Sequence, residues 1–373
     1  MPLKWRKVWI ADETFESAGV FDVNGDGVLD IVSGAYWYQG PDFRKKHAVG
    51  EVKAAGEYFD DFSTIAMDVN GDGKPDFVTG GWWGNTLRWR ENPGEAGKVW
   101  PEHVIAEVGN IETTRAWDLD GDGVPEILPN TPGNPEVAYY KLVTDKSGKG
   151  TGKFRKVLCH KFPQGGQGHG LGCGDVAGNG RMDIILCKGW LEAPPSPEKG
   201  EWVWHEDFPT PPWGWAGSVP MLVADVNGDG RNEIITGNAH GYGLWWSEQK
   251  MVKGKRTWTH HAIDPYNAQY HDLIWVDIDG DGKPELVTGK RHRAHCGNEP
   301  GEWDDYGIYY FKWTGDGFAK QVITYDAFGE AKGCGIHFAV ADLRGSGRLD
   351  LVAPGKDGLY VFFNEGLAYQ PGK

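Results

Sequence analysis

The chain has 373 residues and a formal charge of −15, from 53 acidic against 38 basic side chains. That balance, without a basic stripe, argues against a nucleic-acid partner, and no apolar run is long enough to span a bilayer. Glycine (56) and tryptophan (19) are abundant, as expected of short strands, tight turns and aromatic surfaces.

The N-terminal stretch Met1-Pro2-Leu3-Lys4-Trp5 lacks the apolar core of a signal peptide, which predicts a cytoplasmic protein unless a leader was removed. Residues 5–10 mix aromatic, basic and apolar side chains and read as a strand. Then comes Asp22-Val23-Asn24-Gly25-Asp26-Gly27-Val28-Leu29-Asp30, a pattern that returns with its first aspartate at Asp68, Asp118, Asp175, Asp225, Asp277 and Asp342. Oxygen-bearing side chains at its first, third, fifth and ninth positions, with a backbone carbonyl at the seventh, are how a short loop wraps a hard cation. Apolar runs flank each loop, so the unit is strand, loop, strand.

Five loops keep the full ligand set and predict bound calcium: Asp22, Asn24, Asp26, Asp30; Asp68, Asn70, Asp72, Asp76; Asp118, Asp120, Asp122, Glu126; Asp225, Asn227, Asp229, Glu233; and Asp277, Asp279, Asp281, Glu285. The fourth loop has lost one ligand at Ala177. In the seventh, Arg344 stands where an ion would need an oxygen. Five divalent ions would return about ten positive charges, so the acidity says little about partners. The role read for these loops is structural.

The loops are spaced 46 to 65 residues apart, enough for one four-stranded unit each. Further outer strands are expected at 43–49, 100–106, 154–160, 202–208, 258–263 and 318–324. An all-β, seven-bladed propeller occupying 1–373 as a single domain closes this series. Its last blade runs out of chain after the strand at 359–363, and the strand at 5–10 can supply the missing fourth, leaving no open edge. Five cysteines with no C-x-x-C pair read as buried free thiols.

In such a propeller the segments before each inner strand and after each second strand meet at one end of the channel, opposite the cation loops. Asp60, Asp61, Glu112, Arg115, His169, His271 and His337 fall in the first set. Trp82, Trp83, Asn130, Lys188, Trp190, His240, Tyr242, Lys290, Arg291, His292, His295 and Lys356 fall in the second. Histidines supply acid–base groups or metal ligands, and lysine or arginine stabilises a carboxylate or a developing enolate. Flat aromatic faces suit sugar rings. No G-x-S-x-G or Cys–His context for a nucleophile appears.

The loops resemble the FG-GAP, or VCBS, repeat of integrin α-subunit and bacterial propellers. Around the channel, Gly109-Asn110-Ile111-Glu112-Thr113, His169-Gly170-Leu171-Gly172, His240-Gly241-Tyr242-Gly243-Leu244 and Thr288-Gly289-Lys290-Arg291-His292 with Ala294-His295 resemble the propeller domain of the aldos-2-ulose dehydratases. Those enzymes remove water from 1,5-anhydrofructose and glucosone. Propeller-type polysaccharide lyases cleaving rhamnosyl-glucuronate are similar in architecture. The 373 residues read as propeller throughout, without a cupin pattern, so the resemblance is expected to extend to the elimination step and not to the isomerisation that follows it.

The expected function is therefore β-elimination on a keto-sugar or uronic sugar. His169, His240, His271 and His295 are candidate bases, acids or ligands of a catalytic divalent metal. Lys290 and Arg291 would hold the enolate or carboxylate oxygen, and Tyr242 would protonate the leaving group. Asp61, Trp83, Glu112, Arg115, Lys188, Trp190, His337 and Lys356 would contact substrate. A non-catalytic sugar- or protein-binding propeller and a glycoside hydrolase using Asp60 or Asp61 are the alternatives.

Overall fold

A computed structural model describes residues 2–208 and 216–368. Every regular element among them is a strand, and none is a helix able to cross a membrane. Seven four-stranded sheets form the blades of a β-propeller. In blade order the innermost strands are Gly19–Phe21, Ile65–Met67, Thr113–Trp117, Leu171–Gly174, Leu222–Ala224, Tyr270–Val276 and Ala339–Ala341. The outermost are Lys45–Ala48, Glu102–Glu107, Gly150–Lys161, Val203–His205, Lys255–Ala268, Phe318–Asp326 and, for blade 7, Leu3–Ala11. Leu3–Ala11 pairs antiparallel with Leu359–Leu367, placing Trp5 opposite Asn364 and Val8 opposite Val361.

Blades stack face to face, so their second strands are buried on both sides, and Asp30–Ser33 and Asp350–Ala353 are buried throughout. The core lies between blades: Leu128 and Tyr139 of blade 3 pack with Leu171, Ile184 and Leu191 of blade 4. Inner strands approach so closely that a Cβ at Gly172 would lie 2.3 Å from the Met221 carbonyl oxygen, which only glycine permits. All five cysteines are free, four of them buried.

Each cation loop is a nest of backbone N–H groups closed on its first aspartate. Asp22 accepts from Gly25 and Gly27 at 2.8 Å, and Asp30 accepts from the Val23 N–H at 2.9 Å. Gly25 and Gly27 sit at φ 74° and 82°, where a side chain would be strained.

The outer halves of six of the seven blades fall into two classes. In blades 1, 2, 4 and 5 a third-strand tryptophan stacks on a fourth-strand histidine: Trp37 on His47, Trp89 on His103, Trp190 on His205 and Trp246 on His261, with centroids 4.1–4.4 Å apart. Each histidine hydrogen-bonds the residue two beyond its tryptophan: Gln39, Glu91, Glu192 or Glu248. In blades 3 and 6 a tyrosine, Tyr139 or Tyr310, replaces the tryptophan, and the residue two beyond is Lys141 or Lys312. These lysines reach into the cation loops. Lys141 Nζ donates to Asp120, to Asp122 at 2.7 Å and to Glu126 at 3.0 Å. Lys312 Nζ donates to Asp279 and to Asp281 at 2.8 Å, with Glu285 at 3.4 Å. The carboxylates of both loops converge closely enough to hold an ion, and an ammonium is already among them. In loop 7, Arg344 donates to Asp350 at 2.9 Å.

Candidate active site at the channel mouth

Two excursions from the repeat cover the end of the channel opposite the loops. One is the hairpin Ala54–Ala55/Tyr58–Phe59 ahead of blade 2. The other is the long connection 291–305 between the second and third strands of blade 6. They meet above the mouth, where the Tyr58 hydroxyl donates to the Ala294 carbonyl at 3.0 Å and Arg293 pairs with Glu57 at 2.8 Å. The connection is pinned from below. Lys290 Nζ donates to the carbonyls of Gly301 and Asp304, and Lys356 Nζ to those of Arg293 and Ala294.

Beneath them lies a cavity of about 350 Å³. Tyr58, Phe62, Trp82 and Trp83 form an aromatic wall, facing Glu112, His169, His240, Arg291 and His295. One donor atom from each of Glu112, His169, His240 and His271 lies within 4.8 Å of the others. Glu112 Oε1 is 3.0 Å from His271 Nε2 and 3.2 Å from His169 Nε2. Burial would push the Glu112 carboxyl up, but the His169 and His271 rings around it hold it well below the usual range. Burial drives His271 well down and lowers His240, so both imidazoles are neutral and Glu112 is ionised.

The surroundings of the rings set their tautomers. His169 Nδ1 lies 2.7 Å from the Gly217 carbonyl, which can only accept, so Nδ1 carries a proton and Nε2 is the nitrogen turned toward the cluster. His240 Nδ1 lies 2.6 Å from Glu299 Oε1, which orients that ring in the same way. His169 Nε2 is buried and makes no hydrogen bond. Imidazoles oriented by a carbonyl and a carboxylate on the far nitrogen, around one ionised carboxylate, are the arrangement of a divalent transition-metal site. The residues present therefore fit a divalent ion.

Beside this cluster His295 Nδ1 contacts the same Glu299 oxygen as His240, and the two rings are 4.5 Å apart. Burial would raise Glu299, but hydrogen bonds from His240 and His295 take it down to about 2. Arg291 is buried and forks onto Glu16 at 2.9 and 3.2 Å. Its Nη1 makes no hydrogen bond and stands 3.6 Å from Glu112.

Among the expected site residues, Trp83, Glu112, His169, His240, Arg291 and His295 line the cavity, and His271 supports it from behind. The structure places the others outside the cavity lining. Lys290 and Lys356 spend their ammonium groups on backbone carbonyls of the covering connection, Lys356 also 3.2 Å from Glu16. Tyr242 is on the rim with its hydroxyl on Asp304 at 2.7 Å. Arg115 is buried in the channel, donating to Asp272 at 2.8 Å, and His337 accepts there from the Thr64 N–H at 3.1 Å. Asp61 is buried beneath the mouth on the Thr79 hydroxyl at 2.6 Å. Lys188 is exposed on blade 4 and does not line the cavity. Trp190 is fully buried in its blade on His205, its indole N–H on Asp207 at 2.8 Å. Asp60 accepts from Trp83 N and pairs with Arg88 at 3.2 Å, so Asp60 and Asp61 do not flank a common cleft as a hydrolase pair would. Tyr58, Phe62, Glu299 and Glu16 were not anticipated. The one available signal was the length of the chain outside the repeat at 50–60 and 291–305.

Residues 68–128 and 198–288 match the model of the FG-GAP-like repeat, and the chain carries FG-GAP-like repeats on a seven-bladed propeller. No curated protein matches the sequence. Among solved structures, BBS1N in complex with ARL6DN is similar in fold, with TM-score 0.55 and 8% identity, covering 98% of each chain. An Agrocybe aegerita lectin described as recognising non-reducing terminal N-acetylglucosamine is 17% identical over 95% of this chain and 91% of its own, with TM-score 0.49. The rhamnogalacturonan lyase YesW is 14% identical over 97% of this chain and 75% of its own, with TM-score 0.48.

Proposed function

We propose that this propeller is a carbohydrate lyase that performs β-elimination on a keto-sugar or uronic sugar at the channel mouth. The observation that carries the reading is the convergence of Glu112, His169, His240 and His271, with the His295–Glu299 pair beside them, facing an aromatic wall. A scaffold for binding alone has no use for so many oriented imidazoles around one ionised carboxylate.

A sugar ring lying against Trp82, Trp83 and Tyr58 would present its polar edge to the imidazoles. His295, oriented by Glu299, takes the proton from the carbon α to the carbonyl. The C–H electron pair becomes the new C=C bond as the C–O bond at the β carbon breaks. The departing oxygen leaves with that bond's electron pair and recovers the proton from His295. Negative charge gathers on the carbonyl oxygen meanwhile, where Arg291 Nη1 offers an unspent donor in a water-poor wall. A divalent ion held by Glu112, His169, His240 and His271 would supply Lewis-acid polarisation of that carbonyl.

The test is ultraviolet absorbance of an enone or unsaturated uronate on incubation with 1,5-anhydrofructose, glucosone and rhamnosyl-glucuronate polymer. The absorbance should rise with wild type and slow about a hundredfold or more in His295→Ala, with melting unchanged because that ring is half-exposed. A flat trace on all three substrates, or a His295→Ala variant as fast as wild type, refutes the reading.

A further inference from the structure

The connection 291–305 has a second face. His295 lines the mouth, while Arg293, two residues earlier, lines a neighbouring cavity of about 260 Å³. Arg291 and His295 line the one and His292 and Arg293 the other, so the same connection walls both cavities. Trp303 and Phe328 wall the second one and are 72% and 67% exposed. Exposed aromatic faces on that scale are costly to leave in water. His292, 3% exposed, also lines it. Its ring stacks on Phe328 at 5.3 Å and meets Tyr306 edge-on at 4.5 Å. Its Nδ1 is buried with no hydrogen-bond partner. Asp304 and Asp305 complete the lining, and the Arg293 guanidinium lies 5.4 Å over the Trp303 ring.

We infer that this cavity is a second sugar subsite, and that the substrate is an oligosaccharide whose neighbouring, uncharged pyranose residue occupies it. The inference rests on the lyase reading only in placing the reacting residue at the mouth. The lining alternates two kinds of surface. Trp303 and Phe328 offer flat apolar faces to the C–H faces of a pyranose. Asp304 and Asp305 accept hydroxyl protons, and the unpaired His292 nitrogen answers one more hydroxyl. An apolar peptide or lipid would cover the two carboxylates and offer them no donor in place of water. A uronate there would face two carboxylates as like charges against one guanidinium, Arg293, which is already paired with Glu57 at 2.8 Å, so the residue in this subsite is neutral.

The experiment is binding of wild type, Trp303→Ala and Phe328→Ala to an array of neutral mono- and oligosaccharides. Wild type should retain an oligosaccharide of two or more residues more strongly than its component monosaccharide. Trp303→Ala and Phe328→Ala should each weaken that binding about tenfold or more while melting like wild type, since both side chains are mainly exposed. The inference is overturned if no oligosaccharide is retained, if the monosaccharide is held equally well, or if the two aromatic truncations change nothing. Oligosaccharide binding that depends on Trp303, with no absorbance change from any sugar, would sink the lyase reading and leave the subsite. Elimination on a monosaccharide with a silent array would do the reverse.

Discussion

Replacing Lys141 by methionine tests whether blade 3 carries its own cation. Methionine keeps the length of the side chain and removes the charge. Lys141 is 13% exposed and holds Asp120, Asp122 and the fully buried Glu126. Leaving buried carboxylates without their cation costs about 3–5 kcal/mol. Asp122 is 46% exposed and keeps much of its hydration, so the lower end, about 3 kcal/mol, applies. At about 2.1 cal/mol/K per residue, a single cooperative transition of this chain has an entropy of about 0.8 kcal/mol/K. The melting temperature should then fall by about 4 °C in chelator-treated buffer. The freed oxygens of Asp118, Asp120, Asp122 and Glu126 are a hard-cation set. Calcium at about a hundred times its Kd would return about 2.7 kcal/mol. The assay is a thermal scan of both proteins with chelator and with calcium, and its readout is the difference between their calcium responses. A variant that melts like wild type in chelator, or one whose deficit calcium does not narrow, refutes the idea that Lys141 stands in for the ion.

Glu16 is buried, and although burial alone would raise its carboxyl, Arg291 and Lys356 hold it down at about 2 against an ordinary 4.5. Its contribution is therefore full above about pH 4.5, roughly 3 kcal/mol by linkage, and is lost as pH falls toward 2. Glu16→Gln should melt lower than wild type at pH 7, and the gap should shrink to less than half by pH 3; an equal gap at both would contradict the ion pairing. Lys290→Ala should loosen the covering connection, seen as faster proteolysis or amide exchange in 291–305, since its ammonium is bound to the carbonyls of Gly301 and Asp304. Unchanged protection there would show the pin is idle. Trp190→Ala should cost about 3–5 kcal/mol of stability without altering sugar binding. Wild-type melting would mean the indole is not packed as described. Deleting residues 2–11 should expose the edge of Leu359–Leu367 and cause aggregation, so a monomeric, equally stable truncate would argue that blade 7 does not need that strand.

The fold was legible because its determinants are local and repeated. Each loop spells out its own turn through aspartates that cap backbone N–H groups and glycines that supply positive φ, and seven copies set the blade number. The ring of mouth positions followed from strand polarity alone, which is why Glu112, His169, His240, His271, Arg291 and His295 stand together at one end of the channel. Side-chain destination was not legible in the same way. Trp83 and Trp190 both follow a second strand, yet Trp83 is left at the mouth by the hairpin over blade 2, whereas Trp190 is taken up by the cross-strand stack with His205. The stack itself was readable: a tryptophan with a glutamate or glutamine two residues on and a histidine in the next strand occurs in four blades, and the tyrosine-then-lysine variant in two. Lys290 and Lys356 have the right position and the wrong target, because sequence does not show that a carbonyl-rich connection folds back over them.

The departures from the repeat explain where chemistry can sit on a ring of equivalent blades. Seven similar strand ends would make a symmetric, open mouth with no preferred side. Blades 3 to 6 supply Glu112, His169, His240 and His271 from repeat positions, so the polar cluster lies to one side of the axis. The excursions at 54–59 and 291–305 then bring what the repeat does not encode: Tyr58 for the aromatic wall, and the His295–Glu299 pair beside the cluster. They contact each other through Tyr58 and Ala294 and through Arg293 and Glu57, so they form one cover over the cluster. Glu16, from the segment ahead of blade 1, ties Arg291 beneath that cover to the point where the ring closes. A substitution on the cover should therefore change what the site accepts, whereas one on the cluster should change what the site can do to it.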